Sequence, residues 1–161
     1  LYYFASEGWG RPNLDNQVFM IGLATSDDGL NWQQYNDPTT QEKRTESDPI
    51  FEPELSTGWE HSSTWKGNVV VNEMGLGLFY ASMLQSGERI GYAFSENGRN
   101  WTRNPNNPIL RPADDPNPMA RETLELELSS VVLKDGVYYV YYDYGRAGTQ
   151  IGVATGTIFN E

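Results

Sequence analysis

The sequence predicts an all-β chain built as a β-propeller, with four-stranded antiparallel sheets standing radially as blades, and three observations carry that reading. A twelve-residue motif recurs: Ile21-Gly-Leu-Ala-Thr-Ser-Asp-Asp-Gly-Leu-Asn-Trp32 returns as Ile90-Gly-Tyr-Ala-Phe-Ser-Glu-Asn-Gly-Arg-Asn-Trp101, and a third copy starts at Ile151-Gly-Val-Ala-Thr155 before departing. Each copy follows an aromatic strand, Leu1 to Ser6, Leu76 to Ser82 and Val137 to Tyr144. The copies begin about 60–70 residues apart, longer than helical solenoid repeats and suited to a four-stranded unit with long loops.

Taken in order, strands are expected near 1–6, 18–25, 32–35, 68–72, 76–83, 89–95, 101–103, 124–133, 137–144 and 150–155, with helix nearly absent. Asp28-Gly29, Asn97-Gly98 and Asp135-Gly136 supply the positive φ of tight hairpin turns. Val137 to Tyr142 is apolar or aromatic at both parities, as in a strand whose sheet is covered on both faces. Residues 36–64 and 104–121 are rich in Pro, Asp, Asn, Ser and Thr without sustained periodicity, and read as long inter-blade loops.

The units are about 1–52, 53–112 and 113–161, a single propeller segment of two and a half to three blades holding three, four and three strands. The first unit lacks its opening strand and the last its closing one. A closed propeller needs at least ~4 blades, and open sheet edges invite pairing with another chain. The expectation is therefore the remainder of a longer, five-bladed polypeptide, or closure as a homo-oligomer. The chain starts at Leu1 without an initiator Met and enters a strand at once, which also suggests a segment upstream.

Composition narrows the function classes. With 161 residues, 38% hydrophobic and 20% charged, the chain suits one globular domain or a piece of one. Eleven Lys and Arg against 22 Asp and Glu leave a net charge of −11, which opposes nucleic acid or a membrane surface as partner. The absence of cysteine excludes disulfides, thiolate zinc sites and cysteine nucleophiles, and the lone His61 excludes a multi-histidine site within one chain. No apolar run approaches the ~18 residues needed to span a bilayer. Phosphate-loop, serine-elbow and HExxH motifs are missing.

The units share the pattern hydrophobic-Gly-x-Ala-x-Ser-x-(Asp/Asn)-Gly-x-x-Trp, followed by Asp48-Pro49-Ile50-Phe51 in one and Asn107-Pro108-Ile109-Leu110 in the other. This resembles the five-bladed β-propeller glycoside hydrolases, especially families 43 and 32 and relatives acting on arabinan, xylan or fructan. The resemblance implies a carbohydrate partner, cleavage of glycosidic bonds in plant or microbial polysaccharides by paired carboxylates, no cofactor, and a bacterial, secreted or periplasmic setting. It also implies three acids: an early Asp, a second in an Arg-Asp-Pro motif, and a general-acid Glu on an inner strand. Glu127, four residues before Val131 and nine before Gly136, is similar to the family's Glu-x-x-x-Val and takes the general-acid role by resemblance. No Arg-Asp-Pro occurs, and the strand for the first Asp would precede residue 1, so the alternative is a noncatalytic propeller module for glycan binding or assembly.

The residues themselves allow two readings each. Alternation in Leu124-Glu125-Leu126-Glu127-Leu128 puts Glu125 and Glu127 on one strand face with Cα atoms roughly 7 Å apart. That is close enough for one charge to raise the pKa of the other, as a general acid needs, although a solvated strand face has the same pattern. Asp143 is either a supporting carboxylate or a turn cap. Arg121 orients a substrate hydroxyl or pairs with Glu122 in solvent. Trp59 and Trp65, with Trp9, stack on sugar rings or pack in the core; His61, in a polar loop, binds substrate or faces solvent.

Asp27, Asp28, Glu96 and Asn97 have a spacing similar to the Asp-box of sialidases. Because they recur in successive units, they read as scaffold turns, and Trp32 and Trp101 as packing between blades. Asp114-Asp115-Pro116-Asn117 is oxygen-rich enough for Ca²⁺ but lacks the EF-hand spacing, and reads as a turn.

Overall fold

The computed structural model describes residues 1–7, 18–40, 46–60, 63–84, 87–111, 126–144 and 150–157, which form eleven strands in three antiparallel sheets. The first sheet runs β1 (Tyr2–Glu7), β2 (Val18–Thr25), β3 (Gln33–Gln34), with β4 (Pro49–Phe51) also on β2. The second runs β5 (Trp65–Asn72), β6 (Gly75–Leu84), β7 (Gly87–Ser95), β8 (Thr102–Arg103) in chain order. The third holds β9 (Leu126–Lys134), β10 (Val137–Tyr144) and β11 (Gln150–Gly156). The architecture is the all-β propeller segment expected from the repeats.

The middle sheet is buried on both faces, and β6 shows why. Its alternate residues Leu78 and Tyr80 join Ile21, Phe51, Trp59 and Ala93 in the core against the first sheet. Phe79 and Ala81 join Ile90, Tyr92, Leu126, Leu128, Tyr138 and Val140 in the core against the third. Each Leu, Ile or Phe among them stabilises the fold by about 1.5–3 kcal/mol relative to exposure. The sequence predicts the same two-sided environment for Val137–Tyr142. There only Tyr138 and Val140 are buried, while Tyr141 on the opposite face is 37% exposed, because no described sheet covers that face.

The repeated Ile-Gly-x-Ala step has a packing cause. A Cβ on Gly22 would meet the ring of Tyr3 at 2.5 Å, and one on Gly152 the ring of Tyr142 at 2.5 Å. At Gly91 it would sit 2.6 Å from Tyr80 Cζ and 2.5 Å from Trp59 Cη2. Each glycine thus lets the tyrosine of the preceding strand lie flat across the backbone.

The turn within the motif is also built twice in the same way. Ser26 Oγ accepts the Gly29 amide at 2.9 Å, and Asp28 Oδ1 accepts those of Leu30 and Asn31, both at 2.8 Å. Ser95 Oγ and Asn97 Oδ1 repeat the arrangement on Gly98, Arg99 and Asn100. Amide donation from Asn31 and Leu30 holds the Asp28 carboxyl well below the usual carboxylate range. These are scaffold turns, but they are loops between β2 and β3 and between β7 and β8. Of the three pairs expected in tight hairpins, only Asp135-Gly136 closes a two-residue hairpin, joining Lys134 to its register partner Val137.

Most strands fall within one or two residues of expectation, and the larger differences are an added strand and an earlier start. Pro49–Phe51, assigned to a loop, forms β4, pairing Phe51 with Ile21; three residues are too few to show alternation. β5 starts at Trp65 because a register break between Trp65 and Asn68 lets the strand continue through an interruption.

Candidate functional site

β9 and β10 bring two of the expected acids together. Leu126 and Leu128 point into the core, and Glu127, at the intervening position, stands directly opposite Asp143 in the cross-strand register. Directly opposed Cβ atoms lie about 4.5–5.5 Å apart, which suits the shorter of the carboxyl separations that glycosidases use, about 5–5.5 Å. The Ser129 hydroxyl donates to Asp143 Oδ2 at 3.1 Å. The Glu127 side chain remains 43% exposed and makes an ion pair with Lys66 Nζ, which comes from β5 of the neighbouring sheet. Glu125, Arg121, Glu122, His61, Trp9, Asp114 and Asp115 lie outside the described residues.

Beside this pair stands an aromatic group built on Trp65, one of the tryptophans expected to stack on a sugar ring or pack in the core, with Phe4 and Phe19. Trp65 meets Phe4 edge-on at 6.3 Å and Phe19 at 6.0 Å, and Lys66 Nζ lies 4.4 Å from the centre of its ring. Phe4 itself is 55% exposed. Trp59 is different: at 5% exposure, tilted against Tyr80 at 5.6 Å, it offers no open ring face to a sugar, so core packing describes it.

The most deeply buried carboxylate among the described residues is Glu60, next to His61 in the chain. Its side chain is fully buried, and Arg103 donates from Nε to Oε1 and from Nη2 to Oε2, both at 2.8 Å. The Tyr80 hydroxyl donates to Oε1 at 2.6 Å, and the Glu54 amide to Oε2 at 2.7 Å. Asn107 Nδ2 in turn donates to Tyr80 Oη at 3.1 Å, and the Arg103 guanidinium lies 4.1 Å from the Phe51 ring centre. Burial, then the Glu60 charge, pushes the Tyr80 phenol far up. The group fastens the segment after β4 to the outer strand of the second sheet, with no carboxylate oxygen open to a ligand.

Between the second and third sheets lies a cavity of about 360 Å³ lined by Phe79, Ile109, Leu110, Tyr138, Val140 and Ala154, among others. Among the described residues that line it there is no acidic side chain, and Glu127 is not one of them. Among the described residues no three acidic or histidine groups gather as metal ligands, and no helix is long and apolar enough to cross a membrane.

No family model matches the sequence, and no curated protein matches it. Solved structures do match. A provisionally named glycosidase from Bacteroides thetaiotaomicron superposes with a TM-score of 0.60 at 18% identity, over 99% of this chain and 50% of that one. A glycosyl hydrolase from Bacteroides ovatus gives 0.56 at 17%, over 95% and 44%. Fructan 1-exohydrolase IIa from Cichorium intybus gives 0.54 at 16%, over 95% and 29%. The chain spans half or less of the length of these proteins, and at such identities the likeness is one of fold: a propeller of the glycoside hydrolase type.

Proposed function

We propose that this chain forms part of a carbohydrate-active propeller protein that hydrolyses glycosidic bonds, with Glu127 and Asp143 as its carboxyl pair. The observation that carries the reading is their direct opposition across β9 and β10 on a partly exposed face, beside an aromatic group. In such a pair one carboxyl gives its proton to the glycosidic oxygen as the bond to the anomeric carbon breaks. The other, ionised, bonds to that carbon, and water then breaks this ester while returning its proton to the first carboxylate.

A panel of arabinosyl, xylosyl and fructosyl substrates tests it, the last because a fructan exohydrolase shares the fold. Glu127→Gln, with an unchanged circular dichroism spectrum, should lower turnover by about 10²–10⁴-fold. Equal turnover in variant and wild type would reject the assignment.

A second reading has its own observation. Lys66 neutralises Glu127 and joins two sheets, a contact that a noncatalytic module binding glycan or assembling with other chains would also use. Sugar binding without any hydrolysis by the wild type would favour it. Exposed Tyr141, Ile151 and Val153, on the face of the third sheet that also carries Asp143, suit further assembly, and a dimer mass by light scattering that Val153→Lys returns to a monomer would assign that face to a second copy.

A further inference from the structure

Two described residues other than glycine have left-handed backbone, Asp135 at φ 53° and Lys66 at φ 49°. Asp135 is accounted for by its hairpin with Gly136. Lys66 lies inside β5, where the register against β6 breaks between Trp65 and Asn68. A bulge of this kind re-aims a side chain, and a strained backbone persists only where its surroundings over-determine it.

Both neighbours supply that constraint. Trp65 is wedged between Phe4 and Phe19, and the backbone at Gly67 is so close to the core that a Cβ there would meet Ile21 Cδ1 at 2.8 Å and Leu78 Cδ1 at 3.0 Å. The outcome is an ammonium held over the Trp65 ring and against the Glu127 carboxylate of the next sheet.

We propose that Lys66 is a positioning residue that keeps Glu127 ionised, so that Glu127 is the anionic member of the carboxyl pair and not its proton donor. The inference rests on the pair described under the proposed function, and it reverses the general-acid role expected from the sequence. An adjacent cation favours the charged form of a carboxyl group. The other charged groups on strands packed against β9 are Asp143 on β10, opposite Glu127, and Glu88 and Arg89 on β7. Lys66 is the one of these whose ion pair with Glu127 is described.

The test follows the titration of the Glu127 side-chain carboxyl carbon by NMR in the wild type, Lys66→Met and Lys66→Arg. All three carry a side chain at the strained position, and their amide spectra report whether the fold persists. In Lys66→Met the Glu127 midpoint should rise by about one pH unit, a tenfold change in acid constant, and Lys66→Arg should restore it. In the wild type alone, raising salt from about 0.01 M to about 1 M should raise the midpoint, because ions screen a partly exposed pair. A midpoint unmoved by both salt and Lys66→Met overturns the inference. Since the readout is titration and not turnover, a shifted midpoint in an inactive chain upholds the role of Lys66 and counts only against hydrolysis.

Discussion

Replacing Glu60 with glutamine keeps the shape of the side chain and removes the charge that Arg103 answers at two points. Breaking a buried ion pair by neutralising one partner costs about 3–5 kcal/mol, since the remaining charge is left without its counterion. Arg103 keeps 22% side-chain exposure, the Glu52 carbonyl still accepts from it, and Glu54 Oε2 lies 3.6 Å away, so the cost falls at the lower end. For a chain of this length about 3 kcal/mol corresponds to a melting temperature lower by about 6–12 °C. Urea unfolding of Glu60→Gln, Arg103→Met and the double variant measures it, with Trp59 and Tyr80 as adjacent fluorescent reporters. The double variant should lose less than the sum of the singles, with a coupling of about 2 kcal/mol. A Glu60→Gln loss below about 1 kcal/mol, or strict additivity, refutes the view that this group fastens the two sheets.

Gly91→Ala places a methyl between the buried rings of Trp59 and Tyr80 and should cost about 2–3 kcal/mol. Gly152→Ala meets only the half-buried Tyr142 and should cost about 1 kcal/mol; urea midpoints in the opposite order would refute the packing account of the repeat glycine. Burial raises the phenols of Tyr80 and Tyr92 above the ordinary value near 10. Folded pKa values above the unfolded one mean that their stabilising contribution is complete below about pH 10 and is lost as pH rises further. Absorbance at about 295 nm should therefore show these two tyrosines resisting ionisation until the chain unfolds; all ten titrating together with the fold intact would contradict it.

The blade scaffold was legible because it is written locally and more than once. The Gly-to-Trp motif encodes a close tyrosine contact and a turn whose donors and acceptors lie within a few residues, so its recurrence at residues 21 and 90 was sufficient. The opposition of Glu127 and Asp143 was half legible: alternation set which face Glu127 uses, but only the register of β9 on β10 joins it to Asp143. Glu60 was passed over because its partners Tyr80 and Arg103 stand 20 and 43 residues away, and nothing local distinguishes a buried glutamate from an exposed one. Lys66 was invisible for a related reason. A bulge depends on what two sheets demand of one strand, and that conflict appears only after packing.

The two joints between the sheets are unequal. At the first, Trp101 stands edge-on to Tyr2 at 5.9 Å and Arg103 covers Phe51, so the repeat's tryptophan and the outer strand together fill the wedge. At the second, Phe79, Ile109 and Leu110 occupy the places that Tyr2, Ile50 and Phe51 hold at the first, yet they border the 360 Å³ cavity. Trp32, the counterpart of Trp101, is 48% exposed. The outer half of the second joint thus keeps an open space where the first is filled by rings and a guanidinium, while the inner half of the second is closed by the larger of the two cores.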